Sequence, residues 1–332
     1  MTFACRSRAR ARWSRAVGAV VATACLPAAL VAQTGVPDRS GTLVDVGGHR
    51  LHVDCRGEGT PTVVIEAGMG ASSLAWLHVQ EALSETSRTC TYDRAGLGRS
   101  DPGPRPRDGR SLATELHAAL AATEHGPYVL VGHSFGGYVV RIYRDLHPTE
   151  VVGLALVESA HESQWTRLPA VIRRLLDASL PGIQARADSA RAGALDEAAI
   201  ARHGFFSRRE DLWQAYRRQA VDADHLQTHA DELRAMDRTA ALVAMTEPLG
   251  DVPLAVLSSA REFDAYRGSP VPVEEANRVW LELQAELAKL STNVVHVVSM
   301  TGPHTIQYEE PHVVVGLLTE LIERVRAHGH DP

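Results

Sequence analysis

The chain has 332 residues, of which 45% are hydrophobic, and this content is sufficient for a sizeable globular core. Its 34 basic and 40 acidic residues give a formal net charge of −6. This balance excludes a strongly basic surface, so we expect no nucleic-acid partner.

The first 32 residues are typical of a secretory signal peptide. Five arginines precede an apolar stretch, residues 16–32, that ends in small residues. The stretch is short and is interrupted by Pro27, which argues against a membrane-spanning helix. We expect no stable membrane span in the chain that remains after the signal peptide is removed. We therefore predict a secreted or periplasmic protein. The alternatives are an uncleaved N-terminal anchor or lipid attachment at Cys25.

Removal of residues 1–32 would leave two cysteines, Cys55 and Cys90, and would move the net charge from −6 to about −11. An even number of cysteines in an exported chain favours a disulfide. Two buried free thiols are the alternative.

Residues 40–160 are predicted to form the first part of an α/β core. A hairpin with strands at 42–46 and 51–55 turns at Gly47-Gly48. Strands and helices then alternate, which predicts a mostly parallel sheet with helices on both faces. The predicted strands are 62–66, 89–92, 128–131 and 154–157, and the helices are 73–84, 111–124 and 138–143.

Residues 161–250 are rich in Ala, Arg, Leu and Asp at helical spacing and contain no credible strand. We interpret them as a helical lid inserted after the sixth strand. We expect its apolar residues, Leu175, Leu176, Trp213 and Tyr216, to pack within the lid rather than contact substrate. Residues 251–328 are predicted to complete the core, with strands at 252–257 and 293–298 and helices at 274–290 and 312–327.

The most informative motif is Gly132-His133-Ser134-Phe135-Gly136-Gly137, which lies between a predicted strand and a predicted helix. This order is typical of a nucleophile elbow, in which a strained turn lifts a serine hydroxyl out of the sheet. Small flanking residues are needed because any Cβ there would collide with its neighbours. Ser134 is therefore the predicted nucleophile.

A serine hydroxyl requires an imidazole base, and the imidazole requires a carboxylate to orient it. His304 follows the last predicted strand and is the candidate base. The acid has two main candidates: Glu262 follows the seventh strand, and Glu158 follows the sixth. Asp264 is a third alternative.

The oxyanion of a tetrahedral intermediate requires two backbone N–H donors. The amide after the serine belongs to Phe135, and the turn after the third strand supplies Met69. His225 and His229 share one helical face, but no glutamate follows His225 to complete a zinc motif, so we expect no metal.

Residues 40–328 resemble the α/β-hydrolase superfamily with a cap. Besides the elbow, the resemblance rests on residues 92–100, Tyr-Asp-Arg-Ala-Gly-Leu-Gly-Arg-Ser, and on residues 302–311 around His304. It implies an eight-stranded sheet whose second strand is antiparallel, a Ser134/His304 pair and no cofactor. In such a sheet the strands carrying Cys55 and Cys90 are neighbours.

Two departures from the family pattern affect the site. Ala67-Gly68 stands where many members have His-Gly, and Glu262 occurs where a Gly-x-x-Asp is common. A serine at the elbow, rather than an aspartate, argues against the family's epoxide hydrolases and haloalkane dehalogenases.

These features together predict a carboxylesterase-like serine hydrolase with a small ester-type substrate. The fold also hosts amidases, aminopeptidases and lipases, and a ligand receptor or pseudoenzyme is the alternative outside catalysis. A lipase requires a lid with an apolar underside, and the Arg- and Asp-rich sequence of residues 161–250 argues against a lipase. The pattern does not determine an oligomeric state.

Overall fold

The computed structural model describes residues 41–200 and 210–328, which belong to the compact unit Gly35–Pro332. The predicted signal peptide, residues 1–32, and its candidate lipidation site lie outside the described residues.

An eight-stranded sheet forms the centre of the molecule, with strand order β1-β2-β4-β3-β5-β6-β7-β8. Strand β2 is antiparallel to both β1 and β4, and all other neighbours are parallel. This arrangement confirms the predicted fold class. The strands are β1 Thr42–Asp45, β2 Arg50–Arg56, β3 Thr62–Glu66, β4 Thr89–Tyr92, β5 Tyr128–His133, β6 Val151–Val157, β7 Leu254–Ser259 and β8 Val294–Ser299.

The helices cover both faces of the sheet and fill the connection between β6 and β7. Short 3₁₀ turns also occur, at Ser73–Trp76 and Asp264–Tyr266 among others. The α-helices are α1 Leu77–Leu83, α2 Gly109–Thr123, α3 Phe135–Leu146, α4 Gln164–Arg167, α5 Ala170–Arg191, α6 Glu210–Ala220, α7 Ala223–Val243, α8 Val273–Leu287, α9 Ile306–Glu309 and α10 Pro311–Ala327.

The central strands are apolar along their whole length because both faces are covered. Every residue of β5 and β6 is buried, as expected for parallel strands between two helical layers. Successive side chains point to opposite faces. Leu130 therefore packs in the core beneath α2 and α3, whereas Val129 and Val131 pack in the core beneath α1 and α10.

The segment between β6 and β7 is helical, with no strand in its described residues, and we call it the helical insert (residues 161–250). Asp222 is the N-cap of its last helix, α7, and the Asp222 side chain accepts the N–H of His225. Helix α7 runs back across the core and carries several fully buried residues, among them Glu232 and Thr239.

Cys55 and Cys90 form a disulfide between β2 and β4, where they are register partners. No helix in residues 41–200 or 210–328 combines the length and the apolar character that crossing a membrane requires.

Candidate active site

Ser134 occupies the turn between β5 and α3 with φ +52° and ψ −122°. A positive φ is strained for a residue with a side chain, and such strain is often found at functional sites. A Cβ on Gly132 would lie 2.6 Å from Val140 Cγ2, and one on Gly136 would lie 2.6 Å from the carbonyl oxygen of Ala67. Only glycine fits at either position: Gly132 because of the following helix, and Gly136 because of the loop after β3.

His304 lies on the loop between β8 and α9, at the same end of the sheet. Its Nδ1 is 2.8 Å from Glu262 Oε2 and 3.6 Å from Glu158 Oε2. His304 and Ser134 line the same cavity. Within residues 41–200 and 210–328, no hydrogen bond joins their side chains. Catalytic contacts of this kind often tighten only when substrate is bound.

Both leading acid candidates thus approach the same imidazole nitrogen. Glu158 follows β6 with φ +46° and is completely buried. It accepts the backbone N–H of Ser259 and the indole N–H of Trp280, the latter at 3.1 Å. Glu262 lies on the loop after β7, and its side chain is 12% exposed.

The two carboxyl groups differ in their tendency to ionise. Burial, followed by the charge of Glu262, raises the pKa of Glu158 well above its ordinary value. Burial also opposes ionisation of Glu262, but the positive charge of His304 outweighs burial and lowers the pKa of Glu262. Ionisation is therefore favoured at Glu262 and opposed at Glu158.

Opposing effects also act on His304. Burial favours its neutral form, but Glu262 first and then Glu158 favour the imidazolium and raise the pKa of His304 above its ordinary value. Asp264, the third candidate acid, pairs instead with Arg261 and Arg267, each at 2.9 Å. The structure thus brings two of the three candidate carboxylates to His304.

The candidate oxyanion donors come from two elements that meet at Ser134. Phe135 is the first residue of α3, and Met69 lies in the loop after β3; both line the cavity. A Cβ on Gly68 would lie 2.9 Å from His133 Nδ1 and 3.4 Å from Ser134 Cβ. Because residue 68 is glycine, the loop carrying Met69 passes directly against the serine.

The cavity above Ser134 has a volume of about 610 Å³ and walls that are mainly apolar. Helix α5 contributes Ile172, Leu175, Leu176 and Ser179, a single stripe at i, i+3, i+4 and i+7. Leu175 and Leu176 therefore line the cavity, contrary to the expectation that they pack within the insert. Trp213 is buried and stacks on Tyr216 of the same helix, with ring centroids 5.7 Å apart, and neither residue lines this cavity. Besides Met69 and Phe135, the other large apolar or aromatic residues of the described wall are Trp165, Leu168, Met236, Phe263, Tyr266, Trp280 and Tyr308.

A model of the α/β-hydrolase fold matches residues 61–242, more than half of the chain. The chain belongs to the α/β-hydrolase fold family. An AB hydrolase superfamily protein of Gibberella zeae is 26% identical over 293 residues, which cover 80% of this chain and 87% of that relative. A probable transporter of Hormonema carpetanum is 28% identical over 317 residues, but the alignment spans only 43% of that protein's length.

The solved structure of a putative lipase from Acinetobacter baumannii matches with a TM-score of 0.64. It is 19% identical, and the match covers 87% of this chain and 92% of that chain. At 19% identity, the match shows that the two proteins share a fold. The fold and the hydrolase-named relatives support an enzyme.

The histidines of α7 contact the loop after β3 of this α/β-hydrolase. His225 Nε2–H donates to the carbonyl oxygen of Gly70 at 2.9 Å. His229 lies against the same residue, since a Cβ on Gly70 would be 2.6 Å from its Cγ. Their shared face thus meets the loop after β3, and His229 also lines the cavity.

The sequence patterns did not identify two residues that touch the candidate triad. Trp280 donates to Glu158 from α8, 122 positions along the chain. His133 Nε2–H donates to the backbone carbonyl oxygen of His304 at 3.0 Å. His133 occupies the variable position of the elbow motif, and nothing local to Trp280 marks it as a site residue, so neither carried a signal.

Proposed function

We propose that this α/β-hydrolase is a serine hydrolase that cleaves ester bonds through an acyl-enzyme on Ser134. The observation that carries this proposal is the strained Ser134 on the wall of a cavity shared with His304, whose Nδ1 faces a carboxylate at 2.8 Å. Nucleophile, base and orienting acid are the three parts that serine-based acyl transfer requires.

In the proposed reaction the Ser134 hydroxyl attacks the ester carbonyl while His304 Nε2 accepts its proton. The N–H groups of Met69 and Phe135 stabilise the oxyanion, and His304 then protonates the departing alcohol. Water, activated by the same imidazole, attacks the acyl-enzyme. Hydrolysis releases the acid and returns the proton to Ser134.

We propose Glu262 as the acid that orients His304. It is the closer of the two carboxylates and the one whose ionised form is favoured. Glu158 then serves as a buried, protonated neighbour, held by Ser259 and Trp280. In this role it limits the movement of the imidazole without adding a second negative charge.

The substrate we propose carries a sizeable apolar group, in contrast to the small, soluble ester expected from composition. Among the described residues, twelve large apolar or aromatic side chains line the cavity, three of them from α5. A medium-length acyl or alkyl group buried there would gain about 0.8 kcal/mol per methylene. The helical insert is accordingly proposed to act as the lid of this cavity.

A fluorophosphonate probe and a series of p-nitrophenyl esters from acetate to decanoate test the proposal. Wild-type protein is expected to be labelled and to turn over the longer esters best, and Ser134→Ala is expected to abolish both signals. Ser84→Ala is the control, since Ser84 directly follows α1 and its hydroxyl donates to the carbonyl of Glu81. An unlabelled, inactive wild-type protein would instead indicate a ligand receptor or pseudoenzyme.

We also propose that the protein is exported, either free or held at a membrane by its N-terminal segment. The Cys55–Cys90 disulfide supports an oxidising compartment, because such bonds are rare in the cytosol. Fusion of residues 1–32 to a reporter enzyme, followed by fractionation, tests export. Retention of the reporter in the cytosol would contradict it.

A further inference from the structure

Arg94 lies at the centre of a fully buried ion cluster beside the candidate oxyanion donor Met69. Its guanidinium is 2% exposed, and Glu66 and Glu232 are completely buried. All five guanidinium N–H groups donate. Two bonds reach the carboxylate of Glu232, from Nε at 2.7 Å and from Nη2 at 2.9 Å. Nη1 donates to the carboxylate of Glu66 at 2.5 Å and to the carbonyl of Ala67 at 2.7 Å. The second N–H of Nη2 donates to the carbonyl of Gly68 at 2.7 Å.

The bond to Gly68 fixes the direction of the Met69 amide. The carbonyl of Gly68 and the N–H of Met69 belong to one planar trans peptide group, so they point in opposite directions. When Arg94 holds the carbonyl oxygen, the Met69 N–H is directed away from Arg94. A cation on the carbonyl also polarises the peptide, which strengthens its N–H as a donor.

The peptide on the other side of Met69 is fixed as well. Glu232 Oε2 accepts the N–H of Gly70 at 2.8 Å, so one carboxylate binds both Arg94 and the loop. Glu232 belongs to α7 of the helical insert, 162 positions away from Gly70. Both peptides that flank the Met69 Cα are thus held by this ion pair.

The cluster also reaches the second candidate oxyanion residue. The Arg94 guanidinium lies over the Phe135 ring, 5.9 Å from its centroid. Burial opposes ionisation of Glu232, but the charge of Arg94 outweighs it and lowers the pKa of Glu232. Burial raises the pKa of Glu66, so the Arg94–Glu232 pair carries the opposite charges.

We propose that Arg94 and Glu232 are positioning residues that orient the Met69 amide for oxyanion binding. The helical insert therefore completes the catalytic site through Glu232, in addition to covering the cavity. This inference rests on the proposed acyl-transfer function. It assigns to a residue of the insert an effect on the transition state rather than on substrate binding.

The test compares Glu232→Gln with Glu66→Gln, because both remove one carboxylate from Arg94 but only Glu232 contacts the loop. For Glu232→Gln we expect kcat to fall about 10- to 100-fold while KM stays within about threefold. The inhibition constant of a trifluoromethyl ketone, which forms an oxyanion on Ser134, is expected to rise by the same factor. Glu66→Gln is expected to lower thermal stability similarly with a much smaller change in kcat.

Equal kcat losses in the two variants, or a loss of stability alone in Glu232→Gln, would overturn the inference. Should Glu232→Gln fail to fold, Glu232→Asp keeps the charge while shortening the reach, and the same two constants are measured. Failure of the proposed function is distinguishable, since the wild-type protein would then be unlabelled and inactive, or its turnover would persist in Ser134→Ala. Active-site titration with the fluorophosphonate normalises every kcat to folded, reactive enzyme.

Discussion

The ring of His133 packs against the ring of His304, with their centroids 4.8 Å apart, and its Nε2–H donates to the His304 backbone carbonyl. Burial, followed by the charge of His304, lowers the pKa of His133 to about 3, so His133 stays neutral at physiological pH. The residue before the candidate nucleophile therefore holds the loop that carries the candidate base.

Replacement of His133 tests that contact. His133→Ala is expected to reduce kcat about tenfold, because an imidazole displaced by a fraction of an ångström no longer meets the serine hydroxyl correctly. His133→Gln retains an N–H donor and is expected to recover part of the loss. Steady-state kinetics on a p-nitrophenyl ester measure both, and identical rates in His133→Ala and wild type would contradict the role.

The two carboxylates near His304 are expected to differ strongly in their effect on turnover. Glu262→Gln removes the ionised partner and should lower kcat by about 10³- to 10⁴-fold. Glu158→Gln keeps a neutral, hydrogen-bonding side chain and should cost no more than about tenfold. The reverse order in the same assay would assign the triad acid to Glu158.

The pH dependence follows from the raised pKa of His304. The base must be neutral, so kcat/KM is expected to rise with pH through the pKa of His304 and to be lost as pH falls below it. Removal of the Glu262 charge lowers that pKa, and the acidic limb of the residual activity of Glu262→Gln should move to lower pH. A limb that moves to higher pH, or stays fixed, would show that Glu262 does not stabilise the imidazolium.

The apolar cavity predicts that a larger side chain in its wall changes the acyl-chain length that the enzyme prefers. Leu176→Trp should lower kcat/KM for octanoate at least about tenfold and leave acetate within about threefold, because the added volume excludes only the longer acyl chain. Arg174→Trp is the matched control, since Arg174 is an exposed residue of the same helix outside the cavity wall. Equal effects of the two substitutions would point to general disturbance of α5.

The disulfide predicts a measurable contribution to stability. Cys55 and Cys90 are 35 positions apart, and a cross-link closing a loop of this size stabilises a fold by roughly 4 kcal/mol, largely by restricting the unfolded chain. Cys55→Ser/Cys90→Ser should lower the urea midpoint accordingly, with hydrolysis at 25 °C retained. Equal urea midpoints for the oxidised wild type and the double variant would contradict this stabilisation.

The elements of the core were predictable because their signals are local. Apolar runs such as those of β5 and β6 occur only where both faces of a strand are covered, and Gly132 is required by contacts with residues 136–140, a few positions along the chain. Element ends shifted by a few residues: the helix predicted at 138–143 begins at Phe135, directly after the serine.

The properties of the cavity were not predictable in the same way. Composition of the helical insert suggested a polar underside, but α5 turns Ile172, Leu175 and Leu176 toward the cavity, whereas Arg173 and Arg174 of the same turn do not line it. Average composition carries no information about which helical face meets the core. The orientation of α5 relative to the sheet decides it.

The sequence by itself determined the eight-stranded α/β architecture, the serine turn and the candidate residues Ser134, His304, Met69 and Phe135, because spacing and residue type along one segment suffice for each. Only the tertiary structure brought Glu158 and Glu262 to one imidazole, and Arg94 and Glu232 to the loop around Met69. These contacts join residues that are more than 20 positions apart and depend on burial. Charge interactions of this kind are set by distance and dielectric environment, which exist only once the chain is packed.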